Sequence, residues 1–91
     1  MNTDQLLSAL KIDLGITSTA FDDRLTARIQ TAQERITAEG VTLTGSEGDK
    51  DLVLMYAAWL WRSRVTGDGM PRMLRYALNN RVLGPAAEVA P

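Results

Sequence analysis

Apolar residues recur along this chain at helical rather than alternating intervals. Leu6, Leu7, Leu10 and Leu14 follow Thr3, a residue suited to an N-cap, and precede Gly15, which suits a helix stop. That spacing predicts a short amphipathic helix over 3–14. Phe21, Leu25, Ile29, Ala32 and Ile36 form one narrow stripe in an otherwise polar segment that ends at Gly40. A second helix over 20–39, packed on one side only, is the expectation. After the loop VTLTGSEG, Ser46 and Asp49 resemble a capping box with Asp in place of the usual Glu, and a third helix follows over 49–65. The turn TGDGMP leads into a fourth over 71–82, with Pro71 at its first position and Gly84 and Pro85 as terminators. The fold class read from this pattern is all-α: a small bundle of about four helices with no substantial sheet. One helical domain covers 1–84, and 85–91 reads as a flexible C-terminal tail.

The third helix departs from simple amphipathicity. On a helical wheel Leu52, Val53, Tyr56, Trp59 and Leu60 make one apolar face, and Leu54, Ala57, Ala58, Trp61 and Val65 make a second. A helix apolar nearly all round must be covered nearly all round, and three other helices, one very short, do not easily do so. Part of it is therefore expected to meet another subunit. The two tryptophans fall on different faces, which assigns Trp59 to the core and Trp61 to an interface. On the fourth helix, Met70, Met73, Leu74, Ala77 and Leu78 share the core face, while Arg72, Arg75, Tyr76 and Asn79 lie opposite. Arg81 falls in line with the apolar stripe at the helix end. The methionines Met55, Met70 and Met73 read as core filler.

Composition narrows the chemistry. The 91 residues include no cysteine and no histidine, which removes thiolate sites, the commonest general base and the commonest metal ligand. The reading is a non-enzyme with no cofactor and no metal. The acidic residues Asp22, Asp23, Asp49 and Asp51 lie in first helical turns, where the dipole already favours carboxylates and no cation is required. A chain this small buries only about two-thirds of its unfolded surface, so a partner subunit would add stability. The formal charge is −1, but it is uneven: residues 1–45 sum to −2 and residues 62–81 to +4. Asp22, Asp23 and Glu34 on one side, and Arg62, Arg72, Arg75 and Arg81 on the other, are plausible complementary faces between subunits. The alternative is a small DNA-binding or regulatory module using Arg72, Arg75 and Asn79 on the fourth helix. The long Gly-Asp-Gly turn before that helix and the negative net charge weigh against it. No apolar run approaches the roughly 20 residues needed to span a bilayer.

The segments DQLLSALKIDLGI, FDDRLTARIQTAQERITAEG, LVLMYAAWLWRSR and MPRMLRYALNNR together resemble the small all-helical head-tail connector proteins of long-tailed bacteriophages, also called head completion or adaptor proteins. The resemblance covers about residues 3–84, and YAAWLWRSR and MPRMLRYALNNR are its most specific portions. It implies a homo-oligomeric ring, a dodecamer in the virion, docked on the portal protein at the capsid vertex. It further implies a platform for a tail completion or stopper protein and a channel through which DNA passes without sequence-specific binding. Localisation would be the head-tail junction of the virion, and the host cytoplasm during assembly. No catalytic motif belongs to that family and no membrane partner is implied. Within this frame the interface residues expected from the sequence are Leu54, Trp61, Arg62, Val65, Arg72, Arg75, Asn79, Arg81, Asp22, Asp23 and Glu34.

Overall fold

The computed structural model describes residues 2–89, with side chains described through Leu83. Four helices follow one another: α1 (Thr3–Leu14), α2 (Asp22–Ala38), α3 (Glu47–Thr66) and α4 (Arg72–Val89). No strand occurs among the described residues. The all-α bundle expected from the apolar spacing is therefore the observed fold.

The ends of the helices follow local chemistry. Asn2, one residue before the expected cap, accepts from the Asp4 backbone N–H at 2.8 Å and opens α1. Ser46 caps α3 by accepting from Asp49 N–H at 3.1 Å, so that helix starts two residues earlier than expected. Gly67, at φ +70°, closes α3 in the left-handed conformation that an L side chain resists. The expected stop of α4 near Val82 is corrected, because the helical backbone runs through Gly84 and Pro85 to Val89. Proline removes one helical hydrogen bond and crowds the preceding turn, but it does not forbid helix beyond it, and Ala86, Ala87 and Glu88 are strong helix formers. The first five residues of the presumed tail are thus helical; Ala90 and Pro91 lie outside the described residues.

Contacts at the helix ends fix the topology. Asn2, Gln5, Leu6 and Ala9 of α1 share a small cleft of about 260 Å³ with Lys50 and Leu54 of α3. The N-terminal halves of these two helices are therefore side by side. Phe21, at the start of α2, packs edge-on against Trp61 near the end of α3, with ring centroids 5.4 Å apart, so α2 runs antiparallel to α3. Arg81 of α4 meets Asp49 in the first turn of α3, so α4 is antiparallel to α3 as well. The result is an up-down-up-down bundle. α3 touches all three other helices, α2 is its most extensive partner, and α4 packs chiefly on α3.

The core follows from this arrangement. Leu6 and Leu10 of α1, and Leu25, Ile29, Ala32 and Ile36 of α2, are buried against Leu52, Val53, Tyr56, Ala57, Leu60 and Trp61 of α3. The narrow stripe predicted on α2 is the one it buries, except that Phe21 at its N-terminal edge stays 38% exposed. Among its described side chains, through Leu83, α4 contributes two fully buried ones, Leu74 and Leu78. Each is worth roughly 1.5–3 kcal/mol of transfer free energy, so α4 needs further attachment.

Candidate interaction surface

The face of α3 left open by its own chain is not the one drawn from the wheel. Trp61 is 6% exposed, held between the edge of Phe21 and the Arg64 guanidinium, which lies 3.5 Å from its ring centre. Arg64 also donates to the Trp61 carbonyl. Trp61 is therefore a core residue, and its assignment to an interface is corrected. Trp59 is half-buried and donates from Nε1 to the Asp68 and Gly69 carbonyls at 3.3 and 3.2 Å. Trp61 is the more enclosed of the two because α2 crosses α3 on its side, while the turn before α4 covers only the rim of Trp59. A wheel gives angular relations between side chains but not which neighbouring helix stands at which angle.

The open face forms a groove of about 690 Å³. Its floor is α3, through Leu54, Met55, Ala58, Trp59 and Arg62. One wall is the end of α1 at Asp13; the other is the turn into α4 with Asp68, Gly69, Pro71, Met73 and Leu74. At roughly 100° per residue, Asp51, Leu54, Met55, Ala58, Trp59 and Arg62 fall within an arc of about 140°, so the floor is one continuous helix face. Met55 is 40% exposed and Met73 is 73% exposed. Their expected place in the core is corrected: Met73 faces outward because α4 turns Leu74 and Leu78 inward. A shallow apolar cleft lined by methionines and a tryptophan is an adaptable contact surface.

Charges around the molecule sort into those used internally and those left free. Asp49 is fully buried in the first turn of α3. One carboxylate oxygen accepts from Arg81, while the other accepts from Thr44 N–H at 2.5 Å, the Thr44 hydroxyl at 3.1 Å and Gly45 N–H at 3.1 Å. Burial by itself raises the affinity of this carboxyl for its proton. The Arg81 guanidinium and the Thr44 donors outweigh that and hold it well below the usual carboxylate range. Arg81, expected at an interface, is thus spent on fastening α4 and the loop at 44–45 to α3. Its position in line with the apolar stripe of α4 is what carries it inward.

Two more expected interface charges have partners in the same chain. Arg75 lies 2.6 Å from Glu39 at the end of α2. Lys11 Nζ lies 2.8 Å from Asp22 Oδ1, an ionic contact without hydrogen-bond alignment, that oxygen having no other polar partner. Asp22 and Arg75 are thus ion-paired within the chain, although Arg75 stays exposed, and the set Arg72, Arg75 and Asn79 proposed for DNA shares one of its cations with Glu39. The other expected residues stay at the surface. Leu54 and Arg62 line the groove, while Val65 is 78% exposed at the end of α3. Asp23, Glu34, Arg72 and Asn79 are exposed and form no ion pair among the described residues. Asp68, in the turn just before Arg72, makes no ion pair among the described residues either.

The structure therefore brings Leu54 and Arg62 together and leaves the remaining expected residues scattered. It adds Asp13, Asp51, Met55, Trp59, Asp68 and Met73, which the sequence reading missed as a group. Asp51 and Met55 share one face of α3 at i, i+4 spacing, a signal that two competing apolar stripes on the wheel obscured. Among the described residues no group of three or more His, Cys, Asp or Glu is placed to hold a metal ion. No helix among them is long and apolar enough to cross a membrane. No family model, curated protein or solved structure matches this chain.

Proposed function

We propose that this chain is a structural interaction protein, a subunit of the ring-shaped head-tail connector of a tailed bacteriophage. In that role it docks on the portal protein, extends the DNA channel and offers the platform on which a tail completion or stopper protein assembles. The observation that carries the reading is the open apolar groove over α3, bounded by Leu54, Met55, Trp59 and Met73. A ring subunit needs a surface of this kind, since a head-to-tail contact buries one face of each copy against a different face of the next. The resemblance of LVLMYAAWLWRSR and MPRMLRYALNNR to connector sequences points the same way. The near-neutral charge suits a conduit, because every neutralised phosphate would add affinity that resists passage of DNA.

The direct test is co-sedimentation of the purified chain with portal assemblies from the phage that encodes it. The expected result is stoichiometric retention that Met55→Lys and Met73→Lys weaken while leaving the helical content unchanged. Absence of binding to portal assemblies across salt and protein concentration would sink the proposal.

A further inference from the structure

With Arg75, Arg81 and Asp22 paired inside the chain, two sets stand out among the charges that have no such partner among the described residues. The first set rims the groove: Asp13, Asp51 and Asp68, with Arg62 as the single cation among them. The second lies on α2, where Arg24, Arg28 and Arg35 fall on one face at helical spacing, together with the small side chains of Ala27 and Thr31. None of these arginines and none of the three aspartates takes part in an ion pair among the described residues. α2 packs on the side of α3 away from the groove, so the two sets are on different faces of the molecule.

The geometry points to α2 of a second copy as the occupant of the groove. This inference rests on the ring reading above and names the two faces that meet. Charge complementarity is its first support, an arginine edge against an acid-rimmed cleft. Matching length is the second. From Phe21 to Arg35 the edge of α2 extends about 21 Å, and from Asp51 to Thr66 the groove floor extends about 22 Å, at 1.5 Å per residue. Chemistry is the third. Arginine stems cover apolar surface while their guanidinium groups stack on aromatic faces, and the groove offers Met55, Met73 and Trp59 for both. Phe21, 38% exposed at the head of the same edge, supplies an apolar anchor. Joining one face to a different face generates a closed ring or an open filament rather than a two-fold dimer.

The test uses two charge-reversed variants of the whole chain, Arg24→Glu with Arg28→Glu, and Asp51→Lys with Asp68→Lys. Self-association is followed by native mass spectrometry and sedimentation velocity at high protein concentration, with and without portal assemblies as template, and folding by circular dichroism. Each variant is expected to lose self-association by on the order of 100-fold, because like charges then face each other. An equimolar mixture of the two is expected to regain higher assembly with the variants alternating, since the intact groove of one meets the intact α2 of the other and the two reversed faces are complementary to each other. A chain carrying all four reversals regains assembly. Folded variants that assemble like the wild type place the contact elsewhere and overturn this inference while the ring reading stands. A mixture that stays monomeric, or a fourfold variant that fails to recover, also overturns it. A wild-type chain that never self-associates, with or without portal, overturns both.

Discussion

Arg81→Ala isolates the attachment of α4. The substitution leaves the Asp49 carboxylate fully buried with its Thr44 and Gly45 donors but with no countercharge. Removing one partner of a buried ion pair typically costs about 3–5 kcal/mol. Here the Arg81 side chain is 34% exposed, so water already screens part of the interaction, and three neutral donors remain. A loss of about 2–3 kcal/mol is the expected magnitude. That is a large share of the roughly 5–14 kcal/mol available to a chain of this size. The assay is urea unfolding, with the tryptophan emission of Trp59 and Trp61 and the helical circular dichroism read together. With a slope near 1 kcal/mol per molar, the midpoint falls by about 2–3 M.

The pH dependence gives the sharper check. The folded Asp49 carboxyl holds its proton less tightly than an unfolded aspartate, so its stabilisation is fully present above the unfolded value of about 4 and is lost as pH falls below it. Without Arg81, burial is less opposed and the folded carboxyl rises back toward or above the unfolded value. The gap between wild type and variant is then greatest near pH 7 and narrows toward pH 3. A midpoint shift below about 0.5 M, or a shift of equal size at both pH values, would refute the idea that this charge pair fastens the helix.

Other expectations separate buried from surface roles. Trp61→Ala, which empties a site packed by Phe21 and Arg64, costs about 3–5 kcal/mol in the same unfolding assay. Trp59→Phe removes the indole donor to the Asp68 and Gly69 carbonyls together with part of the ring's apolar contact, so its cost is about 1–2 kcal/mol. Gly67→Ala forces a side chain into the left-handed cap between α3 and α4 and lowers stability by about 1–2 kcal/mol. Arg75→Ala breaks an exposed pair with Glu39 and costs less than about 1 kcal/mol. In a gel-shift titration between about 50 and 200 mM salt, the wild-type chain shows no steep salt-dependent DNA affinity; steep dependence would instead revive the reading of α4 as a phosphate-contacting helix.

The sequence by itself determined the helices, because their signals are local. Apolar spacing, Ser46, Gly15 and Gly67 act within a turn or two of where they stand, and the four elements appear in the expected order and place, apart from the longer C-terminal end of α4. It also held a trace of the buried ion pair. Asp49 is in register with Leu52, Val53 and Tyr56, and Arg81 with Leu74 and Leu78, so each charge lies on the apolar stripe of its own helix. What nothing local specifies is which stripe faces which neighbour. Trp59 and Trp61 differ by a rotation about α3, and only the crossing of α2 and the turn before α4 decide which of them is enclosed. The same holds for charge. Net charges of −2 and +4 on two segments suggested complementary halves, yet Arg75, Arg81 and Asp22 neutralise partners within the chain. Among the described residues, the charges without an internal partner include the arginines of α2 and the aspartates around the groove, besides Asp23, Glu34 and Arg72. Electrostatic pairing acts over a few ångströms in space, whatever the separation along the chain.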